Sequence, residues 1–289
     1  MNHIARESLL LRHAAGAPDP VLWIEAAGAT IAVMRRGRGV PVLCLHAIGH
    51  GARDFEPLAN LIGQDFEIIA LDWPGQGRSL PDTQPPTAQR YAEILVAAMD
   101  VLNLRKPIVI GNSIGGTAAL IAAAEDPRRF LALVLCDSGG LAPLNGFARF
   151  VIARLAALFR AGENGKTWFA RGFRFYYRRL VLPSHTARQQ RERIIASAYE
   201  IAPLLRAAWE GFALPQSDLR HLVPRITCPV WIAWARSDRV IPWAICRKAA
   251  RRFPVHRVQL FRGGHAAFLE NPKDFAKGFR RFVAKYASR

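Results

Sequence analysis

The chain has 289 residues, 40 Lys and Arg against 22 Asp and Glu, and a formal charge of +18 at pH 7. Its hydrophobic fraction of 51% can bury a sizeable core, and glycine and proline form no repetitive tract, which excludes disordered and fibrous classes. No apolar run is long enough to cross a bilayer, and residues 1–17 hold only Leu9-Leu10-Leu11 between arginines, too short for a secretory leader, so a cytoplasmic protein is expected.

In chain order, residues 21–24 and 30–34 flank the turn Ala26-Ala27-Gly28-Ala29 and read as a leading hairpin, antiparallel to the later strands. A last strand is read at 258–261, and before it short apolar runs recur at 40–45, 66–71, 108–110, 130–135 and 230–235. They do not alternate and are rich in Val, Ile and Leu, as strands buried on both faces of a parallel sheet are. Helical periodicity lies between them, clearest over 90–104, where Ile94, Leu95, Ala98, Val101 and Leu102 share a face, and again over 117–124. The alternation predicts βαβ units: an α/β fold with a mostly parallel eight-stranded sheet flanked by helices.

Residues 141–215 break that rhythm. They are helical in texture, rich in aromatics such as Trp168, Phe169, Phe173, Tyr176 and Tyr177, and carry 12 Lys and Arg against 4 Asp and Glu. They read as a helical cap inserted into a core formed by 1–140 and 216–289, covering the carboxyl ends of the strands, with Trp168 and Phe169 as candidate substrate contacts. Residues 247–289 form a second basic block, 12 against 2. The two blocks account for the whole excess charge. No helix-turn-helix, zinc or RNA-binding signature accompanies it, so no specific nucleic-acid partner is expected. The last helix, 273–287, places Phe275, Phe279 and Phe282 on one face. It reads as a core-facing helix with a solvated basic back, the alternative being a helix lying on an anionic membrane. Cys44, Cys136, Cys228 and Cys246 fit no zinc or redox spacing and read as small buried hydrophobes.

The chemistry-bearing residues stand at strand ends. Gly111-Asn112-Ser113-Ile114-Gly115 lies between a strand and a helix, the context in which a sharp turn presents a serine hydroxyl and leaves the next amide, Ile114, free for an oxyanion. A serine hydroxyl needs a base, and His265, on a glycine loop after the last strand, is the candidate. A carboxylate must orient that imidazole; Asp238, after the strand at 230–235, and Asp137, after the strand at 130–135, both qualify. The first loop, His46-Ala47-Ile48-Gly49-His50, offers the Ile48 amide as second oxyanion donor. His46 reads as structural and His50 as a candidate pocket residue. Asp72, before Pro74-Gly75-Gln76-Gly77, reads as a turn organiser.

Together these residues resemble the α/β-hydrolase superfamily over about 20–140 and 216–289. The chain order Ser113, Asp238, His265 is that superfamily's order, and the inserted helices are similar to those of cap-bearing bacterial members. That group includes carboxylesterases, carbon–carbon bond hydrolases, haloperoxidase-like perhydrolases and haloalkane dehalogenases. The dehalogenases carry aspartate at the elbow, so Ser113 speaks against that chemistry. In some members the acid follows the sixth strand, the place of Asp137, so the acid assignment remains between Asp238 and Asp137. Ala47 and Ala235 stand where the family usually has glycine.

The resemblance implies an ester-cleaving serine hydrolase acting on a small, largely apolar molecule without metal or organic cofactor. A carbon–carbon (diketone) hydrolase with the same residues, or a non-catalytic ligand-binding homologue, are the alternatives. The basic cap would steer an acidic carrier, such as an acyl carrier protein, towards the site; an ordinary solvated surface is the competing reading.

Overall fold

The computed structural model describes residues 9–12 and 21–286, with side chains from Val21 onward. One sheet of nine strands runs through it in the order β1-β2-β3-β5-β4-β6-β7-β8-β9. The strands are β1 (Leu9–Arg12), β2 (Val21–Ala26), β3 (Ala29–Arg36), β4 (Val40–Leu45), β5 (Phe66–Leu71), β6 (Ile108–Asn112), β7 (Ala132–Cys136), β8 (Val230–Ala235) and β9 (His256–Phe261). From β5 to β9 every pairing is parallel, and the three pairings on the β1 side are antiparallel.

Eight of these strands match the apolar runs of the sequence. The ninth is β1: Leu9-Leu10-Leu11 and Arg12 pair backbone to backbone with β2 in the register Leu9↔Ile24 to Arg12↔Val21. The leading hairpin turns on Ala27 (φ 52°) and Gly28 (φ 78°), two successive left-handed residues whose twist suits adjoining antiparallel strands. The strand expected at 130–135 starts at Ala132, because Pro127–Arg129 forms a 3-10 turn that delivers Phe130 to the core as loop.

The helices are α1 (Glu56–Ile62), α2 (Ala88–Val101), α3 (Ile114–Glu125), α4 (Gly146–Glu163), α5 (Phe169–Tyr176), α6 (Arg188–Ala196), α7 (Ala198–Phe212), α8 (Trp243–Ala250), α9 (Ala267–Glu270) and α10 (Pro272–Tyr286). Thr87 caps α2, its hydroxyl accepting from Arg90 N (3.1 Å), and Asn103 ends it in a left-handed conformation (φ 55°), three residues short of the periodic pattern's reach. Helix α3 is buried on all sides from Ile114 to Ala124. Its alanines let it lie close to the sheet while α2 packs on its outer side. On the other flank α1 packs against α10, whose Phe275, Phe279 and Phe282 are fully buried; the final helix is core-facing. Strands β6, β7 and β8 are buried at every position, which explains why their sequences do not alternate.

Four helices, α4 to α7, and a single π-turn at Tyr177–Val181 lie between β7 and β8. This segment packs its own aromatics together: Phe159 contacts Phe173, Tyr176 and Trp209 edge-on or tilted at 5.6–6.3 Å. No helix among the described residues is long and apolar enough to cross a membrane. All four cysteines are free and buried.

Candidate active site

The loops that leave the carboxyl ends of the parallel strands gather on one side of the sheet, and Ser113, His265, Asp238, Asp137 and the His46–His50 loop all lie in them. Ser113 joins β6 to α3 with φ 53° and ψ −118°, a conformation that costs a non-glycine residue about 1–3 kcal/mol. Its backbone is held on both sides: Ser113 N donates to Cys136 O (3.1 Å), and Ser113 O accepts from Thr117 N (3.0 Å), Thr117 Oγ1 (3.0 Å) and Gly139 N (3.2 Å). The glycines of the turn are required by space. A Cβ on Gly115 would stand 2.4 Å from Leu45 O, and one on Gly111 would meet Gly115 O and Gly116 at 2.6 Å. Ile114 then opens α3, where the first N–H groups have no intrahelical acceptor.

His265 and Asp238 meet across the β8 and β9 ends. His265 Nδ1 donates to Asp238 Oδ2 (2.9 Å), and both side chains are buried. The other carboxylate oxygen of Asp238 accepts from Val240 N (2.8 Å) and Ile241 N (2.9 Å), so its rotamer is fixed by its own turn. Asp137 is engaged elsewhere. Its two oxygens accept from Ala235 N (2.7 Å) and Ala267 N (3.1 Å), and burial, then the nearby Asp238 carboxylate, push its carboxyl well above the usual range.

Asn112 connects the elbow to the histidine. Its Nδ2 donates to Cys136 O (3.0 Å) and to His265 O (2.9 Å), so the residue before Ser113 is tied to the backbone of His265 from 153 positions away. In the sequence Asn112 stands out only as part of the five-residue motif. Glu270 stands in the sequence only as part of the run Glu270-Asn271-Pro272 after His265; its carboxylate accepts from Gly264 N (2.6 Å) and from Ser184 N (3.0 Å), joining the His265 loop to the helical segment. Burial raises its carboxyl.

In the first loop, His46 is structural as expected. Its Nε2 accepts from Trp73 N (3.0 Å), its Nδ1 donates to Ala47 O (2.7 Å), and burial pushes the imidazole down towards the neutral form this pattern requires. Gly49 N donates to Gln76 Oε1 (2.6 Å) and His50 N turns back to Ala47 O (3.2 Å), leaving the Ile48 amide outside those bonds. The left-handed position of this loop falls on Gly49 (φ 76°), so alanine is accommodated at Ala47. Asp72 organises the turn after β5, accepting from Ala52 N (2.7 Å) and Arg78 N (3.0 Å).

His50 Nδ1 donates to Asp54 Oδ2 (2.5 Å), and its ring lies 5.8 Å from that of Tyr177. His50 borders a cavity of about 410 Å³ between the first loop and helices α6 and α7. The other two expected substrate contacts are placed differently. Trp168 is 55% exposed before α5, and Phe169 is enclosed by Phe173, Tyr199 and Gly162 inside the helical segment. Aromatic content locates the segment, but periodicity over an eight-residue helix cannot tell which ring faces the sheet. Tyr177, in the π-turn, is the ring that reaches the first loop. The same turn touches the histidine loop, since His265 N donates to Val181 O (2.7 Å). Among the described residues no cluster of His, Cys, Asp or Glu could hold a metal ion.

A family model described as "Alpha/beta hydrolase family" matches residues 42–277. The pimeloyl-[acyl-carrier protein] methyl ester esterase of Stenotrophomonas maltophilia is 29% identical over 261 residues, covering 86% of this chain and 94% of that protein. Two solved structures superpose at the level of the fold. A thermophilic esterase from Thermogutta terrifontis has a TM-score of 0.77, 23% identity, and coverage of 92% and 98% of the two chains. An esterase from Exiguobacterium antarcticum has a TM-score of 0.76, 21% identity, and coverage of 91% and 98%. With a family match over most of its length and esterases among its relatives, the chain belongs to the alpha/beta hydrolase family of enzymes.

Proposed function

We propose that the chain is a serine esterase in which Ser113 is the nucleophile, His265 the general base and Asp238 the orienting acid. The observation that carries this reading is the 2.9 Å bond from His265 Nδ1 to Asp238, on a histidine whose carbonyl is bound by Asn112 beside the strained Ser113. The carboxylate holds the Nδ1–H tautomer, so Nε2 carries the lone pair that removes the serine proton.

Ser113 Oγ attacks the ester carbonyl as its proton passes to His265, and the Ile48 and Ile114 amides receive the oxyanion. His265 then protonates the departing alkoxide, leaving an acyl-enzyme and an alcohol. Water, deprotonated by the same histidine, attacks the acyl carbon and frees the acid and Ser113. Asp137 is a positioning residue in this scheme. By binding Ala235 N and Ala267 N it joins the end of the strand that carries Asp238 to the helix that follows His265.

The segment 141–215 acts as a cap over this chemistry, supported by the bonds from His265 N to Val181 and from Ser184 N to Glu270. Its charge, 12 cations against 4 acids, favours an ester presented by an acidic carrier, the kind of substrate for which the S. maltophilia relative is named. On that reading, turnover of a carrier-bound ester falls as salt rises, whereas turnover of the free methyl ester holds; equal salt response of both removes the carrier.

A fluorophosphonate probe tests the central claim. One adduct on Ser113, absent in Ser113→Ala, is expected; an unlabelled native enzyme overturns it. A panel of esters, thioesters, lactones and a vinylogous diketone then separates ester from carbon–carbon cleavage, and negligible turnover on the whole panel marks a binding homologue.

A further inference from the structure

Away from this site, a cavity of about 570 Å³ opens between β9, the edge strand of the sheet, and α10. Five cationic side chains line it, Arg236, Arg257, Arg262, Lys277 and Arg281, with Asp274 the one carboxylate. Among the described residues none of the five forms an ion pair. Some cations elsewhere are compensated: Arg160, Arg178 and Arg206 of the helical segment are each paired with a glutamate. Positive charge left uncompensated around a concavity raises the local concentration of anions.

The cations come from separate elements. Lys277 and Arg281 lie one turn apart on the exposed side of α10, opposite the buried Phe275, Phe279 and Phe282. Arg257 belongs to β9, and Arg236 and Arg262 follow β8 and β9 directly. A polar group that is not charged completes the wall. Arg257 Nη2 donates to Gln259 Oε1 (3.4 Å), leaving the Gln259 amide hydrogens for another acceptor. Charged residues on an edge strand also discourage strand-to-strand association, but that role needs nothing from α10 or from the two turns.

We propose that this cavity binds a multiply charged anion of the diphosphate class, either free or carried on an organic ligand. Guanidinium groups suit it because they present paired donors to phosphate oxygens. The site also lies against the two turns of the active site. Arg236 precedes Asp238 by two residues and Arg262 precedes His265 by three. Arg236 N donates to Phe261 O (2.8 Å), which ties the turns to each other beneath the cavity. An anion held by both arginines restrains the segments that carry the acid and the histidine.

Calorimetric titration of the intact protein with pyrophosphate, at ionic strength fixed with sodium chloride, tests this. Saturable one-to-one binding is expected. It weakens at least tenfold in Lys277→Gln/Arg281→Gln and is unchanged in Arg247→Gln/Lys248→Gln, an exposed pair on α8 outside the cavity. Binding persists in Ser113→Ala, so failure of the esterase reading and failure of this one are distinguishable. Amide exchange at 236–241 and 262–266 slows when pyrophosphate is bound. A nucleoside diphosphate run beside pyrophosphate identifies the source: tighter binding of the first assigns an organic diphosphate, of the second a free diphosphate. No saturable binding above the chloride control, or equal losses in the two double variants, overturns the site.

Discussion

Asp137 and Asp238 stand at the ends of adjacent strands and are sorted by their hydrogen bonds: Asp238 accepts from His265 Nδ1 at 2.9 Å, while Asp137 accepts two backbone amides. Asp238→Asn therefore lowers kcat by about 10³–10⁴, because the amide no longer enforces the Nδ1–H tautomer. Asp137→Asn presents an amide donor to a backbone donor and costs about 1–3 kcal/mol of stability, with a much smaller loss of rate. Ester hydrolysis and urea unfolding on both variants check this; a larger rate loss in Asp137→Asn exchanges the two roles.

Glu270 gives a pH signature. Burial raises its folded-state carboxyl above the unfolded value of 4.5. A raised carboxyl binds its proton more tightly in the folded state, so its contribution is complete below the unfolded value and is lost as pH rises through the folded one. The stability of the wild type relative to Glu270→Gln thus declines from about pH 4 towards neutrality. Urea midpoints of both proteins across that window measure it, and a difference that grows with pH contradicts it.

Two glycines separate space from propensity. A Cβ on Gly115 has Leu45 O at 2.4 Å and must displace backbone, so Gly115→Ala abolishes activity and costs about 1–3 kcal/mol or more. Gly146, the first residue of α4, has nothing within 4 Å, and Gly146→Ala gains about 0.4–1 kcal/mol. Thermal melts of the two variants should move in opposite directions.

The cysteines give a folding assay. Burial pushes all four thiols up, Cys228 to about 12, so little reactive thiolate exists in the native protein. Ellman's reagent should label none within minutes on the native enzyme and four in denaturant. Rapid native labelling of any one places it outside the core.

Features that depend on neighbours along the chain are legible in the residues alone. Apolar runs without alternation specify buried parallel strands. The glycine spacing around Ser113 specifies the turn, because close packing of α3 on β4 leaves no room for a Cβ there. The order of strand ends places Ser113, Asp137, Asp238 and His265 on one side of the sheet. Contacts between distant segments are settled by folding in three dimensions. Asp137 and Asp238 have equivalent local settings, and only the convergence of β8 with the loop after β9 brings one of them to the imidazole. The ring that reaches the first loop is Tyr177 rather than Trp168 or Phe169, because the packing of the helical segment on that loop, and not the spacing of its aromatics, decides which ring approaches His50. Likewise Leu9-Leu10-Leu11 becomes a strand only because the open edge of β2 supplies its hydrogen-bond partners.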